Sequence, residues 1–399
     1  MKIVWLSWKD IKNPLGGGAE VVAHEMASRL VHDGHEVTLI CSGFKDALGV
    51  QAPAYEEISG YNVVRVGGRY SVYLFAWWHY ASQYTRTIFR GWQRPRWEAP
   101  DIVIEEINTV PFFTRLYVRS AKTKRFLFIH QLCREIWFYQ MTWPISWIGY
   151  VLEPLYLRFL NDEYVITVSE STKFDLQRYG FLHSAISIIT EGTTIAPLTN
   201  LNQVRKYDEP TILSLGSVRA MKRTDHIVQG FEILKERIPR ARLIMAGDLQ
   251  DGYAQKVVGR VERSPYAADI MVAGRVDVET KVSLMQSAHL IAVTSIKEGW
   301  GLIVTEAASQ GTPAAVYNVD GLRDSVRDGV TGVVTKENTP AGLAQAMFDM
   351  LKVQGREGAH NLPACYALGE KAWGWSKRLT FEQSYNDLTR VLGIKEGRD

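Results

Sequence analysis

The chain has 399 residues, 46% of them hydrophobic and 22% charged, and a net charge of +3. That length suits two domains of ordinary size, and that balance excludes disorder, collagen and coiled coil as the main description. The small net charge leaves no case for nucleic acid as the main partner. The three cysteines, Cys41, Cys133 and Cys365, lie too far apart for a disulfide framework or a zinc site and point to a reducing cytoplasm.

The start, MKIVWLSWKD, reads as a first buried strand, Lys2–Leu6, rather than a signal peptide. The loop Asn13–Glu20, NPLGGGAE, follows it and opens a helix over Ala19–Asp33 that ends at Gly34. The loop is not GxGxxG, so the dinucleotide fingerprint is absent. Further strands are predicted at Glu36–Ser42, Asn62–Val66, Asp101–Glu105, Arg125–His130, Tyr164–Ser169 and Ile186–Thr190, with Ser171 as a helix cap after the sixth of the seven. The polar stretch Ala196–Pro210 reads as a linker. The pattern then restarts with strands at Thr211–Gly216, Arg242–Gly247, Asp269–Ala273, Leu290–Ser295, Ala314–Tyr317 and Gly332–Thr335, and a helix over Thr224–Arg237 capped by Thr224. Most of these runs are continuously apolar, as parallel strands covered on both faces are. Alternating strands and helices predict an α/β chain of two Rossmann-like domains facing a central cleft, with the carboxyl ends of the strands towards the ligand. Residues 1–198 form the first domain, 199–375 the second, and 376–399 a terminal helix.

The first half is unusual in composition. Nine of twelve tryptophans fall before residue 150, and Ser59–Trp97 holds no acid but six arginines, Arg65, Arg69, Arg86, Arg90, Arg94 and Arg96. A second basic cluster is Arg115, Arg119, Lys122, Lys124 and Arg125. In Arg69–Trp97, Tyr73, Trp77, Tyr80, Tyr84 and Ile88 share helical spacing, while His79, Ser82, Arg86 and Arg90 tend to another side. An aromatic face beside a cationic one fits a helix lying on an anionic membrane, or equally an aromatic face packed in a core. The 17 uncharged residues Ile136–Leu152 are interrupted by Gln140, Thr142, Pro144, Ser146 and Gly149 and read as surface-lying or groove-lining rather than spanning. Trp137, Trp143 and Trp147 lie in or beside that stretch on the same domain.

The most specific segment is Thr294–Pro313, TSIKEGWGLIVTEAASQGTP, at a strand–loop–helix junction. Glu298 falls in the loop, and Glu306 lies about one turn into a helix starting near Leu302. The N–H groups of residues 299 to 302 open a helix start, which binds anionic or hydroxyl-rich ligands. This string, from Glu298 through Gly299-Trp300-Gly301 to Glu306, Ala307, Gly311 and Pro313, resembles the signature of the family-four retaining glycosyltransferases, which have the GT-B fold. Leu213–Arg223, LSLGSVRAMKR, resembles that family's G-R-L-x-x-x-K-G, with Lys222 at the Lys position and Ser217 where Arg is usual.

The resemblance implies roles. Glu298 and the amides of Gly299, Trp300, Gly301 and Leu302 would hold the donor sugar, and Glu306 the ribose. Lys222, helped by Arg219 or Arg223 across the broken Ser217 position, would neutralise the leaving diphosphate, whose developing charge dominates the barrier. Gly17 and Gly18, in a segment resembling the family's G-G-A-E, would let backbone approach donor phosphate or acceptor. His130, at a strand end where relatives place a His, would lie against the donor sugar. Gly274-Arg275-Val276 would line the base pocket, Asp324 would support the site, and Glu191 stands where the family has Asn. Trp373–Leu392 resembles the final helix that crosses back to the first domain, the domain that handles the acceptor.

The expected function is a metal-independent, retaining hexosyl- or deoxyhexosyltransferase. It would move sugar from a nucleoside-diphosphate sugar, used as co-substrate with no further cofactor, to a carbohydrate or lipid-linked acceptor. No DxD motif stands at a strand end. The expected setting is cytoplasmic, peripheral to an anionic membrane. Rival readings are an inverting transferase or a sugar-nucleotide epimerase on the same fold, or a non-catalytic sugar-nucleotide-binding protein at the membrane.

Overall fold

The computed structural model describes residues 1–46, 48–84, 98–250, 252–352 and 362–394. The chain divides into two compact units. The first holds residues 1–137, 143–190 and everything from Phe381 onward; the second holds 138–142 and 191–380.

The first unit is built on one sheet in the order β3-β4-β2-β1-β5-β6-β7-β8. Its strands are β1 Lys2–Leu6, β2 Glu36–Cys41, β3 Tyr55–Ile58, β4 Tyr61–Arg65, β5 Ile102–Glu106, β6 Lys124–Ile129, β7 Tyr164–Thr167 and β8 Ile186–Ile188. All pairings are parallel except β3 with β4. Parallel strands need crossover helices, which bury both sheet faces. Ile3, Val4, Trp5 and Leu6 are accordingly all buried. The strand order reverses between β1 and β5, which opens a crevice at their carboxyl ends. Helix Gly18–His32 follows β1 and closes at Asp33 and Gly34.

Two helices of this unit differ in the face they turn to solvent. In helix Val72–Tyr84 the aromatic face turns inward. Tyr80 is fully buried among Tyr84 and Tyr117, Tyr73 packs on Phe112, and Trp77 joins the same core as Val4, Leu6 and Val103. This stripe therefore serves the core and is not the membrane face; Leu74, Phe75 and Trp78 point outward instead. Ile88, Arg86, Arg90, Arg94 and Arg96 lie outside the described residues. Helix Ile145–Phe159 shows the reverse. Ser146, Gly149, Glu153, Tyr156 and Leu157 face inward, while Trp147, Ile148, Val151, Leu152, Leu155 and Phe159 are exposed. Trp143, just before it, is 78% exposed, whereas Trp137 is buried against Gly149. No helix among the described residues is long and apolar enough to cross a membrane.

The second unit carries a sheet in the order β11-β10-β9-β12-β13-β14, wholly parallel. Its strands are β9 Thr211–Leu215, β10 Arg242–Ala246, β11 Ile270–Gly274, β12 Leu290–Val293, β13 Ala314–Val316 and β14 Gly332–Val334. Two apolar clusters cover its faces, one around Phe231, Leu243 and Met347, the other around Leu213, Ile291 and Val304. The order reverses between β9 and β12.

Local details correct three expectations. Helix Thr224–Lys235 is preceded by Arg223 in a left-handed conformation, so Thr224 is its first residue and not its cap. Ser169, not Ser171, caps helix Glu170–Arg178 by accepting the Thr172 N–H. The terminal segment is two helices, Pro363–Ser376 in the second unit and Phe381–Leu392 in the first. The helix stops between them, where the Leu379 N–H donates to the Ser376 carbonyl and the Leu379 carbonyl accepts the Thr193 N–H. The last helix is fixed by Tyr385, which donates to Asp33 at 2.6 Å, and by Ser384, which donates to the Thr190 carbonyl.

Candidate active site

In the second unit the strands flanking the reversal, β9 and β12, feed the two loops that carry the sequence motifs. These loops are stitched together. Thr294 Oγ1 donates to the Lys222 and Arg223 carbonyls at 2.8 and 2.9 Å, and the Ile296 N–H donates to the Met221 carbonyl. The result is direct contact between the two central residues: Lys222 Nζ donates to Glu298 Oε1, which also accepts from Ser295 Oγ at 2.6 Å. The Lys222 side chain is 35% exposed and that of Glu298 15%, so a cation and a carboxylate meet at the rim of the crevice. The N–H groups of Gly299, Trp300 and Gly301 have no acceptor among the described residues, and helix Leu302–Ser309 starts directly after them. Cation, carboxylate and unpaired donors together suit an anionic, hydroxyl-rich ligand.

A second layer holds the Glu298 loop. Its N–H donates to the Asp320 carbonyl at 3.1 Å, Lys297 pairs with Asp320 at 2.8 Å, and Asp324 accepts the Gly321 N–H at 3.0 Å. Gly321 has φ +76°, and a Cβ there would stand 2.3 Å from the Glu298 carbonyl oxygen. Gly321→Ala is therefore expected to displace the Glu298 backbone. The strained position costs about 1–3 kcal/mol, and any turnover that depends on Glu298 falls with it. Thermal melting and a turnover assay on the same preparation check both effects.

Arg219 and Arg223 part company. Arg223 donates to the Thr294 and Ser295 carbonyls at 3.0 and 2.9 Å and lies over the Tyr317 ring, so it clamps the loops together. Arg219 heads the short turn Ala220–Lys222 and pairs with no carboxylate among the described residues. Ser217 is half-buried in the same loop. Beneath them His226 Nδ1 lies 2.9 Å from the Tyr317 hydroxyl, and burial holds the His226 pKa below the usual range. Trp300 is buried, packs near Trp375 with ring centroids 6.3 Å apart, and its indole N–H has no hydrogen-bond partner among the described residues.

Glu306 is buried on helix Leu302–Ser309, where its Oε2 lies 2.7 Å from Lys281 Nζ and its Oε1 accepts from Thr194. Gly274-Arg275-Val276 ends β11 and enters helix Val278–Ser287; Arg275 is exposed. Asp277 caps that helix by accepting from Thr280, and these hydrogen bonds hold the Asp277 pKa below the usual carboxylate value.

Residues 16–196 match the family description Glycosyltransferase Family 4, and residues 199–363 match Glycosyl transferases group 1. The chain belongs to the family-four glycosyltransferases. It is 27% identical over 257 residues to the D-inositol 3-phosphate glycosyltransferase of Nocardia farcinica, a match covering 59% of this chain and 55% of that one. The chain spans about half the length of the curated D-inositol 3-phosphate glycosyltransferases it matches. Sucrose-phosphate synthase from Thermosynechococcus elongatus has a similar structure, with a TM-score of 0.72 at 18% identity over 98% of both chains. HepE from Anabaena, solved with UDP-glucose, gives 0.68 at 14% identity over 99% of this chain and 100% of that one. The fold is GT-B, an α/β architecture of two Rossmann-like domains.

In this family-four glycosyltransferase the first unit carries the remaining motif residues. Gly17 and Gly18 are exposed at the start of helix Gly18–His32, but the Gly17 N–H is occupied, donating to Glu20 Oε2 at 2.6 Å. Glu20 in turn pairs with Lys9 at 3.2 Å, so the acid of the glycine segment braces its own loop. His130 follows β6 and is buried. Its Nε2 lies 3.3 Å from Glu106 Oε1 at the end of β5, and its ring stacks on Phe128 at 4.6 Å. Glu106 also accepts from the Trp5 indole at 3.2 Å. Sequence reading missed Ser295, Thr194 and Lys281 in the second unit and Glu106 in the first, because each meets a motif residue only through tertiary contact. For Glu106 the signal was available: an acid inside the apolar run Ile102–Glu106 had to meet a partner. Glu191 is buried at the start of the second unit.

Proposed function

We propose that this chain is a retaining glycosyltransferase that moves a sugar from a nucleoside-diphosphate sugar to a hydroxyl of a carbohydrate or lipid-linked acceptor. The observation that carries the reading is the Lys222–Glu298 pair, set beside unpaired backbone donors where the strand order reverses. The diphosphate draws Lys222 towards itself, with Arg219 as the second cation. That releases Glu298 to accept hydrogen bonds from sugar hydroxyls, while the N–H groups of residues 299 to 301 donate to sugar oxygens. Glu306 accepts from the ribose, and Gly274-Arg275-Val276 flank the base. The bond from the anomeric carbon to the phosphate oxygen breaks with its electron pair going to the diphosphate. The acceptor oxygen bonds to that carbon from the same face and passes its proton to the departing phosphate oxygen. Lys222 and Arg219 supply the positive charge for departure, so the reading needs no resident metal. Assay with a panel of nucleoside-diphosphate sugars and acceptors, followed by NMR of the new bond, tests this. The expected product keeps the donor's anomeric configuration; an inverted product overturns retention, and an epimerised donor without acceptor supports the epimerase.

The exposed ridge of helix Ile145–Phe159 favours a membrane-bound acceptor. Its outward positions recur at helical spacing and are apolar until Arg158. Arg158 and Arg115 stand at its carboxyl end, Arg115 over the Phe159 ring, and aromatic Trp143 and Trp147 stand at the other. Aromatics at headgroup depth beside cations suit an anionic bilayer, each cation contributing about 1 kcal/mol. Three free, buried cysteines fit a reducing, cytoplasmic side. The protein is expected to co-sediment with anionic vesicles at low salt, and the double variant Trp147→Ser, Leu155→Ser to bind about tenfold more weakly. No sedimentation at low or high salt contradicts the membrane reading.

A further inference from the structure

Glu306 does not stand alone. Its carboxylate, 8% exposed, takes an ammonium on Oε2 and a hydroxyl on Oε1, from Lys281 and Thr194. A carboxylate has about four lone-pair positions, so about two remain for a ligand. Lys281 sits in the first turns of helix Val278–Ser287, six residues beyond Arg275 of the base-flanking turn. Its side chain is 28% exposed and its ammonium lies on Glu306, so a group with three donors stands beside the buried acid.

A ribose diol presents two O–H donors and two acceptor oxygens. Glu306 accepts but cannot donate. Lys281 brings donors to the same point, and no other cation pairs with Glu306 among the described residues. We propose that Lys281 is a specificity-determining residue: with Glu306 it reads the ribose diol of the nucleotide and selects ribonucleotides over 2′-deoxyribonucleotides. Removing one hydroxyl leaves a donor or acceptor of this pair unmatched, the situation in which a polar site discriminates most strongly. The inference rests on the nucleotide-sugar reading of the site.

The test is calorimetric titration of the full chain with nucleoside diphosphates of each base, then with the 2′-deoxy form of the tightest. The wild type is expected to prefer the ribose form by at least about tenfold. Lys281→Met is expected to reduce that preference to about twofold or less, with Lys281→Gln, which keeps N–H donors, retaining part of it. If Lys281→Met alone does not fold, Lys281→Met, Glu306→Gln, which leaves no unmatched charge, is compared with Glu306→Gln alone, and a smaller preference in the double variant carries the same reading. A folded Lys281→Met protein with the wild-type preference overturns the role of Lys281 and leaves the nucleotide reading standing. A folded wild type that binds no nucleoside diphosphate at millimolar concentration overturns both.

Discussion

Lys222→Ala is expected to lower kcat by about 10²–10³-fold and to leave the melting temperature nearly unchanged. Lys222 is partly exposed, and the loop it stands on is held by other bonds: Thr294 to the backbone, Arg223 to two carbonyls, and the Ile296 N–H to Met221. The fold therefore loses little with the side chain. On the proposed reading, the reaction loses the cation nearest the departing diphosphate. Charge on that group grows towards the transition state, so the interaction is stronger there than in the bound ground state, and kcat suffers more than KM. Steady-state release of nucleoside diphosphate, measured beside thermal melting, separates these effects. A folded variant with wild-type kcat refutes the role given to Lys222.

Glu298→Gln is expected to lower kcat/KM by about 10²-fold. The amide fills the same volume and still accepts from Ser295, but it loses the charge that pairs with Lys222 and, on the proposed reading, one acceptor for sugar hydroxyls. Because Lys222 and Glu298 touch, their losses overlap. The double variant is expected to be far less impaired than the product of the two single effects predicts. Strict additivity in this cycle contradicts a shared task. Inorganic pyrophosphate sharpens the point: it should compete with donor in the wild type and lose that competition in Lys222→Ala.

Most of the parallel strands were legible because they are covered on both faces and so read as apolar runs, such as Ile102–Ile104 or Leu290–Val293. Strand β3 was not: YEEI is half polar, lies antiparallel at the sheet edge, and is tied to β4 by the turn at Ser59 and Gly60, both of positive φ. The tyrosines and tryptophans of Val72–Tyr84 show the limit of periodicity. Spacing put Tyr73, Trp77, Tyr80 and Tyr84 on one face, but which face meets water depends on the sheet beneath, and Val4 and Val103 claim it. In Ile145–Phe159 the deciding residues are Glu153 and Gly149. Glu153 is turned inward to accept the N–H groups of Cys133 and Arg134 and the Trp137 indole, and burial raises its pKa. Gly149 gives Trp137 room. Those inward anchors leave the apolar residues outside.

At the candidate site, Glu298, Glu306 and Lys222 could be singled out because they stand in a recognisable string. That Lys222 meets Glu298 required the β9–β12 pairing, which brings residues 76 apart in the chain together. Arg223 illustrates the converse. It stands next to Lys222 in a basic motif, yet its guanidinium lies on the carbonyls of Thr294 and Ser295, just beyond β12.

The most direct measurement of the central claim is a crystal structure with a bound nucleoside diphosphate. The expected result has Lys222 Nζ within about 3 Å of a phosphate oxygen, as a charge-assisted hydrogen bond requires, and no longer on Glu298. A diphosphate seated elsewhere, with the Lys222–Glu298 pair still closed, would contradict it.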